Sequence, residues 1–539
     1  MSHPSAEQRP SVTPQWAVAS PHRTASDAAA DVFRSGGNAV DAALAAAVTL
    51  TVVYPNQCSL GGDVMALIGA PDGHVHAVNG SGRSPRASDV ARLGPTVGGM
   101  PVYGPFTVTV PGAVAAWHDI ADRYGTLSLA PTLLAAAELA GGGVEVAPGL
   151  ARDLEREESR LLADDGMRAV FTRHGSTLRS GSLLEQVNLA RSLTLLAEGG
   201  AEAFYDGPVG KSLVRRLRQL GSAMSAEDLA SHRTSFDDAS SAVYAGHELV
   251  SGPPGSQGIF FLEGMAALEV VRERLGHDLD PLGDDAGVIA AVLSAAAQDR
   301  DRLLGDPDSS PLDIDSLLGR RARTVAESAL LGDPSPRRTQ PTRATGDTVA
   351  VVAADGAGTW VSLIQSNFHA FGSGILDESS GIVLHNRGAS FVLDPSSPNV
   401  YAGGRRPAHT LMPVLVRRSD SWTGAHGTMG GRAQPQIHTQ LALHLAAGRT
   451  SVEAVTNPRF VLGPTEPGAG DPSPRAAVKV EADLPGEARD ALAGAGFDLA
   501  EIPAHDDGAG HSQLVRRNGT TLEAASDPRA DGAARTHAG

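Results

Sequence analysis

The chain has 539 residues, 41% of them hydrophobic, which is enough for a large buried core and, by length, for more than one domain. A formal net charge of -17 excludes a basic nucleic-acid surface and an anionic-membrane binder, since both need clustered Lys and Arg. The one cysteine, Cys58, excludes an internal disulfide framework and a cysteine-based metal site.

Residues 1–15 are polar, lack an apolar run and read as a disordered start without a secretory signal, so cytoplasmic residence is the default expectation. Residues 16–20 read as a short strand and 24–34 as a helix ended by Gly36-Gly37; Asn38 then caps a second helix to about Val53. The apolar run from Ala42 to Tyr54 is too short to span a bilayer. Alternation around Val64, Ala66 and Ile68, with a turn at Pro71-Asp72-Gly73, predicts a hairpin. Residues 113–220 carry helical spacing of leucine and alanine. A strand over 243–251 and helices near 258–274 and 285–304 follow. Low apolar content and prolines then mark a linker, 331–347, running to Gly346-Asp347.

From Thr348 the pattern changes abruptly. Thr348, Ala350 and Val352 fall on one face, Val349, Val351 and Ala353 on the other, and Asp355-Gly356 turns the chain into a return strand to Gln365. Both faces are apolar, so the hairpin is expected between two other layers. Further strands are expected near 375–385, 411–417 and 421–428, a helix over 434–447, and a frayed tail from Arg529. Strands in both halves separated by helices predict an α/β sandwich of sheets between helical layers rather than independent domains.

The junction also offers chemistry. If the Asp347–Thr348 bond is cut, Thr348 carries a hydroxyl nucleophile and an α-amine, and such an amine has an unperturbed pKa of about 7.7–8.0, close enough to neutrality to act as a base. A strand-initiating β-branched threonine is the plain alternative. The loop Met429-Gly430-Gly431-Arg432 precedes a helix, where paired glycines can aim N–H groups at an oxyanion or simply make a tight turn. Gly207 to Ser212 hints at a phosphate loop, but Tyr205 stands where a glycine is needed. The 18 histidines show no metal-ligand spacing, and no cofactor is expected.

An ordered set of segments now carries a resemblance. These are Arg34 to Ala43, Gly80-Ser81-Gly82-Arg83, Val108 to Ala113, Gly346-Asp347-Thr348, Phe371-Gly372-Ser373-Gly374 and Asp527-Pro528-Arg529. Together they resemble the γ-glutamyl transpeptidase family of N-terminal-nucleophile hydrolases, over residues 16–534. The resemblance implies a four-layer αββα fold and a zymogen that cleaves itself into a large subunit (16–347) and a small one (348–539). These would form a heterodimer, with further dimerisation left open. It also implies Thr348 as nucleophile, Ser366 as the assisting hydroxyl, Gly430 and Gly431 as oxyanion donors, and Arg83 as the grip on a substrate carboxylate. Asn386 would line the pocket.

The departures shape the expected substrate. Glutathione-handling members have an acidic residue where Ser390 precedes Phe391, and a neutral polar residue where Arg387 stands. Paired serines are replaced by His409-Thr410, an asparagine by Phe368, and a common histidine by Ala350. Losing an anion and gaining Arg387 disfavours an α-ammonium group. The pocket formed with Arg83, Arg387, Ser390, His409 and Thr410 is thus expected to take a small-molecule amide with a carboxylate-bearing acyl group (γ-glutamyl, glutaryl or oxamate-like). This is similar to the subgroup of oxamate amidohydrolases and dicarboxyl-amide acylases. Water or an amine would accept the acyl group. The alternative is an uncut, degenerate member acting as a binding protein.

Overall fold

In the strand Asp347–Asp355 all nine residues are buried, and its alternation sends the two faces to different layers. Val349, Val351 and Ala353 pack with the helices Arg23–Arg34 and Ala39–Val53, whereas Val352 and Ala354 meet Leu415, Ala425 and Val515 of a second sheet. This computed structural model describes residues 15–93, 99–332, 347–464 and 476–537. The first sheet has seven antiparallel strands in the order 533–537, 16–20, 347–355, 360–368, 63–69, 75–80 and 235–237. The second has six, in the order 521–526, 512–518, 421–428, 414–418, 247–251 and 240–244.

Helices cover both outer faces, completing an αββα sandwich. On the first sheet, Ala39–Val53 is buried along its whole length, as its uniformly apolar sequence requires; Asn38 and Asp41 form a reciprocal capping box at its start. On the second, Gly258–Leu275, Ala286–Leu303 and Ala322–Leu330 bury Phe261, Leu268, Leu293 and Val325 against Leu249, Val414 and Val416. Strands from both sides of the Asp347–Thr348 bond interleave in each of these two sheets, so residues 16–332 and 347–537 share the sandwich; only smaller sheets of two or three strands belong to one side alone.

Three expectations are corrected. The single strand expected over 243–251 is a hairpin, Ser240–Tyr244 and His247–Ser251, because Ala245 and Gly246 both take left-handed φ (50° and 76°) and reverse the chain. The low-apolar stretch after residue 304 contains helical turns from Ile314 and the helix Ala322–Leu330 before the linker begins. The tail does not fray: Ala533–His537 forms the edge strand beside Trp16–Ser20, and Arg529 is buried between Glu481 and Asp527. Residues 1–14, and 333–346 of the linker, lie outside the described residues.

Candidate active site

The ladder between Asp347–Asp355 and Trp360–Phe368 is regular except at Thr348. Asp347 stands opposite Phe368 and Val349 opposite Gln365, so Thr348 faces two residues, Ser366 and Asn367. Such a bulge takes one residue out of the ladder and re-aims its side chain. The buried Thr348 Oγ1 donates to Ser366 Oγ at 3.1 Å, and Ser366 Oγ donates to the Asp347 carbonyl at 2.5 Å. Ser366 Oγ in turn accepts the Phe368 N–H at 2.7 Å. Phe368 has φ 79°, a left-handed backbone that costs a non-glycine residue about 1–3 kcal/mol and is held by that hydrogen bond and the surrounding packing.

The paired-glycine loop arrives at the same end of the hairpin. Ser362 Oγ donates to His426 O (2.7 Å) at the level of Val352, and the next residue, Gly427, lies over Ala350 and Ile364. Strand Ser421–Thr428 therefore advances toward Thr348, by about 3.3 Å per residue. Only glycine permits the crossing, because a Cβ on Gly427 would sit 2.7 Å from that of Ala350. Beyond the strand, Gly430 has φ 147° and Gly431 φ 51°, and a Cβ on Gly430 would meet Ile437 Cδ1 at 2.5 Å. The loop conformation is thus specific to glycine.

Below the bulge, the buried Asp347 carboxyl lies beside Arg156. Arg156 Nη2 is 3.8 Å from Asp347 Oδ2 and 2.9 Å from Asp153 Oδ1. Burial, reinforced by Asp153, pushes the Asp347 carboxyl well above the usual carboxylate range.

On the other side of the return strand, Ser366 pairs with Asp63, the first residue of Asp63–Gly69. Asp63 is fully buried and gathers His385 Nδ1 (3.2 Å), His409 Nε2 (3.1 Å) and Arg387 Nε (3.5 Å). Burial would raise its carboxyl, but His385 and His409 overcome that and hold it well below its ordinary value. Arg387 is also fully buried, donates to Thr410 Oγ1 at 3.0 Å, and lies 4.2 Å over the Phe368 ring. Burial lowers its guanidinium to about 10, against the pull of Asp63. Its Nη2 and Nε make no hydrogen bond among the described residues.

The structure thus brings Thr348, Ser366, Asp347, Arg387, His409 and Thr410 around one end of the hairpin, with Gly430 and Gly431 approaching from the second sheet. Ser390 and Arg83 are placed differently. The Ser390 hydroxyl donates to the Arg387 and Ala408 carbonyls. Arg83 donates to Asp306, Asp308 and Gly404 O and lines a cleft of about 420 Å³ with Arg86, Arg233 and Arg406; neither Thr348 nor Ser366 lines it. Asn386 is committed to His369 N–H and Val102 O. Sequence reasoning missed Asp63 and His385. The available signal was a carboxylate opening an otherwise apolar strand. The phosphate-loop decoy follows the helix Glu202–Tyr205, not a strand. No helix among the described residues is long and apolar enough to cross a membrane.

Buried histidines give the fold a defined acid limit. Burial holds His22, His232, His409, His444 and His511 at about 4, His426 at about 3, and His438 well below 6.5. Between pH 6.5 and 4 the unfolded chain binds these protons and the folded chain does not, so the stability is complete above 6.5 and is lost on acidification. The carboxyls of Asp153, Glu263, Asp347 and Asp507 are raised by burial and act oppositely, each by at most one proton, so the seven imidazoles prevail only below about pH 6, where most of them are protonated in the unfolded chain. The urea midpoint is expected to fall from pH 6 to pH 5; an unchanged or rising midpoint over that range would show these imidazoles accessible to protons in the fold.

Comparison with known proteins agrees with this architecture. Residues 25–537 match the gamma-glutamyltranspeptidase family. The chain is 32% identical to the glutathione hydrolase-like YwrD proenzyme of Bacillus subtilis, covering 96% of this chain and 97% of that one. It is also 32% identical to the oxamate amidohydrolase proenzyme of Klebsiella pneumoniae (95% and 97% covered). The crystal structure of a cephalosporin acylase from Bacillus halodurans superposes with a TM-score of 0.85 at 30% identity, covering 99% of this chain and 98% of that one. This protein belongs to the gamma-glutamyltranspeptidase family and is an amide hydrolase or acyltransferase of the N-terminal-nucleophile type.

Proposed function

We propose that the protein is made as an inactive precursor, cuts its own chain between Asp347 and Thr348, and then cleaves amides of a carboxylate-bearing acyl group through an ester on Thr348. The single observation that carries the reading is the chain Thr348 Oγ1–Ser366 Oγ–Asp347 O in one bulge. Ser366 accepts from the nucleophile and donates to the carbonyl beside it, so one hydroxyl both orients the attacking oxygen and polarises its target.

In the precursor, Thr348 Oγ attacks the Asp347 carbonyl carbon and passes its proton into the Ser366 hydroxyl. The C–N bond then breaks, the nitrogen takes a proton, and an ester joins Asp347 to Thr348 Oγ. Water cleaves that ester, leaving an α-carboxylate on Asp347 and a free amine on Thr348. In the mature enzyme this amine takes the hydroxyl proton as Oγ attacks the substrate amide. Gly430 and Gly431 N–H groups receive the oxyanion, the leaving amine departs with a proton, and water or a second amine resolves the acyl-threonine.

The idle donors of Arg387 support the substrate class. A buried guanidinium with unused N–H groups is costly until a carboxylate accepts them. With Ser390 in place of an acid, nothing equivalent waits for an α-ammonium group. Oxamate, the substrate named for the Klebsiella relative, likewise bears a carboxylate on its acyl group. Purified enzyme is expected to hydrolyse glutaryl p-nitroanilide faster than γ-glutamyl p-nitroanilide, by about 10–100-fold in kcat/KM, because both carry the carboxylate but only the second must place an α-ammonium group without a partner. Preference for the γ-glutamyl compound would show that the site does hold a partner for the α-ammonium group.

A further inference from the structure

We propose that Gln257, seated on Arg300, is a positioning residue that clamps the Gly430-Gly431 loop against the wall carrying Thr410, fixing the oxyanion donors for the reaction. The proposal rests on the nucleophile reading above and adds to it a residue that touches neither substrate nor Thr348.

Gln257 immediately precedes the helix Gly258–Leu275 and is fully buried. Its backbone N–H donates to His409 O at 2.9 Å, and its neighbour Ser256 donates through Oγ to Leu411 O at 2.6 Å, so this segment is stitched to residues 409–411. The side-chain amide then spans two loops. Nε2 donates to Thr410 O at 2.6 Å and to Gly431 O at 2.7 Å, while Oε1 accepts from Arg300 Nη1 at 3.2 Å. This orientation is unambiguous, because two carbonyls can only face the NH₂ end and a guanidinium can only face the oxygen.

Arg300 completes the support. Its Nη1 also donates to Arg432 O at 2.8 Å, and its Nε lies 3.0 Å from Asp301, which pairs in turn with Arg432. The carbonyls of Gly431 and Arg432, consecutive in the loop, are therefore each held by a buried donor. Gly430 and Gly431 open the single 3₁₀ turn Gly431–Ala433 with φ 147° and 51°, conformations that this one turn alone does little to hold. Donors aimed where charge develops are useful only when held within a fraction of an ångström, and losing one costs about 10²–10³-fold in rate. The amide bonds only the Thr410 carbonyl, whereas Arg387 is met by the Thr410 hydroxyl and by Asp63, so the acyl pocket keeps its own partners when the amide is lost.

Gln257→Glu is nearly isosteric but turns both donors into an acceptor that repels the two carbonyls. Gln257→Leu leaves those carbonyls unbonded without adding charge. In full-length cut protein, both variants are expected to lower kcat about 100-fold, with KM within about threefold, on whichever p-nitroanilide (glutaryl or γ-glutamyl) the parent cleaves faster. 4-Boronobutanoate, which forms a tetrahedral adduct on a hydroxyl nucleophile, should bind about 100-fold more weakly, whereas glutarate should bind within threefold of the parent. A merely structural residue would not separate those two probes. Unchanged kcat, equal losses for boronate and glutarate, or variants that stay uncut or fail to fold in both forms would overturn the proposal. Thr348→Ala measured alongside separates the failures: turnover there defeats the nucleophile reading, whereas an inert Thr348→Ala beside a fully active Gln257→Glu defeats only the clamp.

Discussion

Thr348→Ala should yield a chain that remains in one piece and hydrolyses no amide above background, a loss of order 10⁴-fold or more, as expected when the nucleophile of a covalent mechanism is removed. The effect should fall on chemistry, not folding. Thr348 occupies a bulge, its methyl contributes little to the clusters on either side, and Val349 to Ala354 fill both faces without it. Thr348→Ser keeps hydroxyl and amine and is expected to retain cutting and a measurable part of the turnover. A denaturing gel and a p-nitroanilide assay read both outcomes. An alanine variant that still splits at this bond would show that another group cuts the chain.

The second large effect is expected at Arg387. Removing it leaves Asp63 buried without a permanent cation, a change that costs about 3–5 kcal/mol in comparable pairs. Arg387→Met should therefore both destabilise the protein and abolish its preference for a carboxylate-bearing acyl group. The two effects can be separated. Adding Asp63→Asn neutralises the stranded carboxylate, so the double variant should regain most of the lost stability, read as a denaturant midpoint. It should not regain the preference, because the guanidinium is still missing. A double variant that still favours glutaryl over pentanoyl p-nitroanilide, which lacks the distal carboxylate, to the parent's degree would place carboxylate recognition elsewhere, with Arg83 the next residue to test.

The parts of the molecule legible in sequence share one property, local periodicity. The alternation from Thr348 to Ala354 is apolar on both faces because the strand lies inside a sandwich, and that alone placed it between layers. Asn38 announced the helix it caps because capping acts within the first turn. The candidate nucleophile stood out because a linker and a buried strand meet at one bond. What stayed hidden depends on pairing across hundreds of residues. Asp63 meets His385, Arg387 and His409 only after the strand Asp63–Gly69 docks beside Trp360–Phe368. Gln257 reaches Gly431 across 174 positions, and nothing in the run Pro253 to Gly258 marks its amide as special. The Ala533–His537 strand was read as a tail because its pattern is weak and its partner, Trp16–Ser20, lies at the opposite end of the chain. Family resemblance supplied what periodicity could not, namely the roles proposed for Gly430, Gly431 and Ser366. It said nothing of how the Ser390 hydroxyl is used, since that is set by the Arg387 and Ala408 carbonyls.

The most direct test is intact-mass analysis of the purified, active protein under denaturing conditions. Two polypeptides are expected, one ending at Asp347 and one of 192 residues (348–539 of the 539) beginning with a free amine at Thr348. A single uncut chain that still turns over amides would contradict the account, because its Thr348 nitrogen would remain a peptide N–H with no lone pair to take the hydroxyl proton.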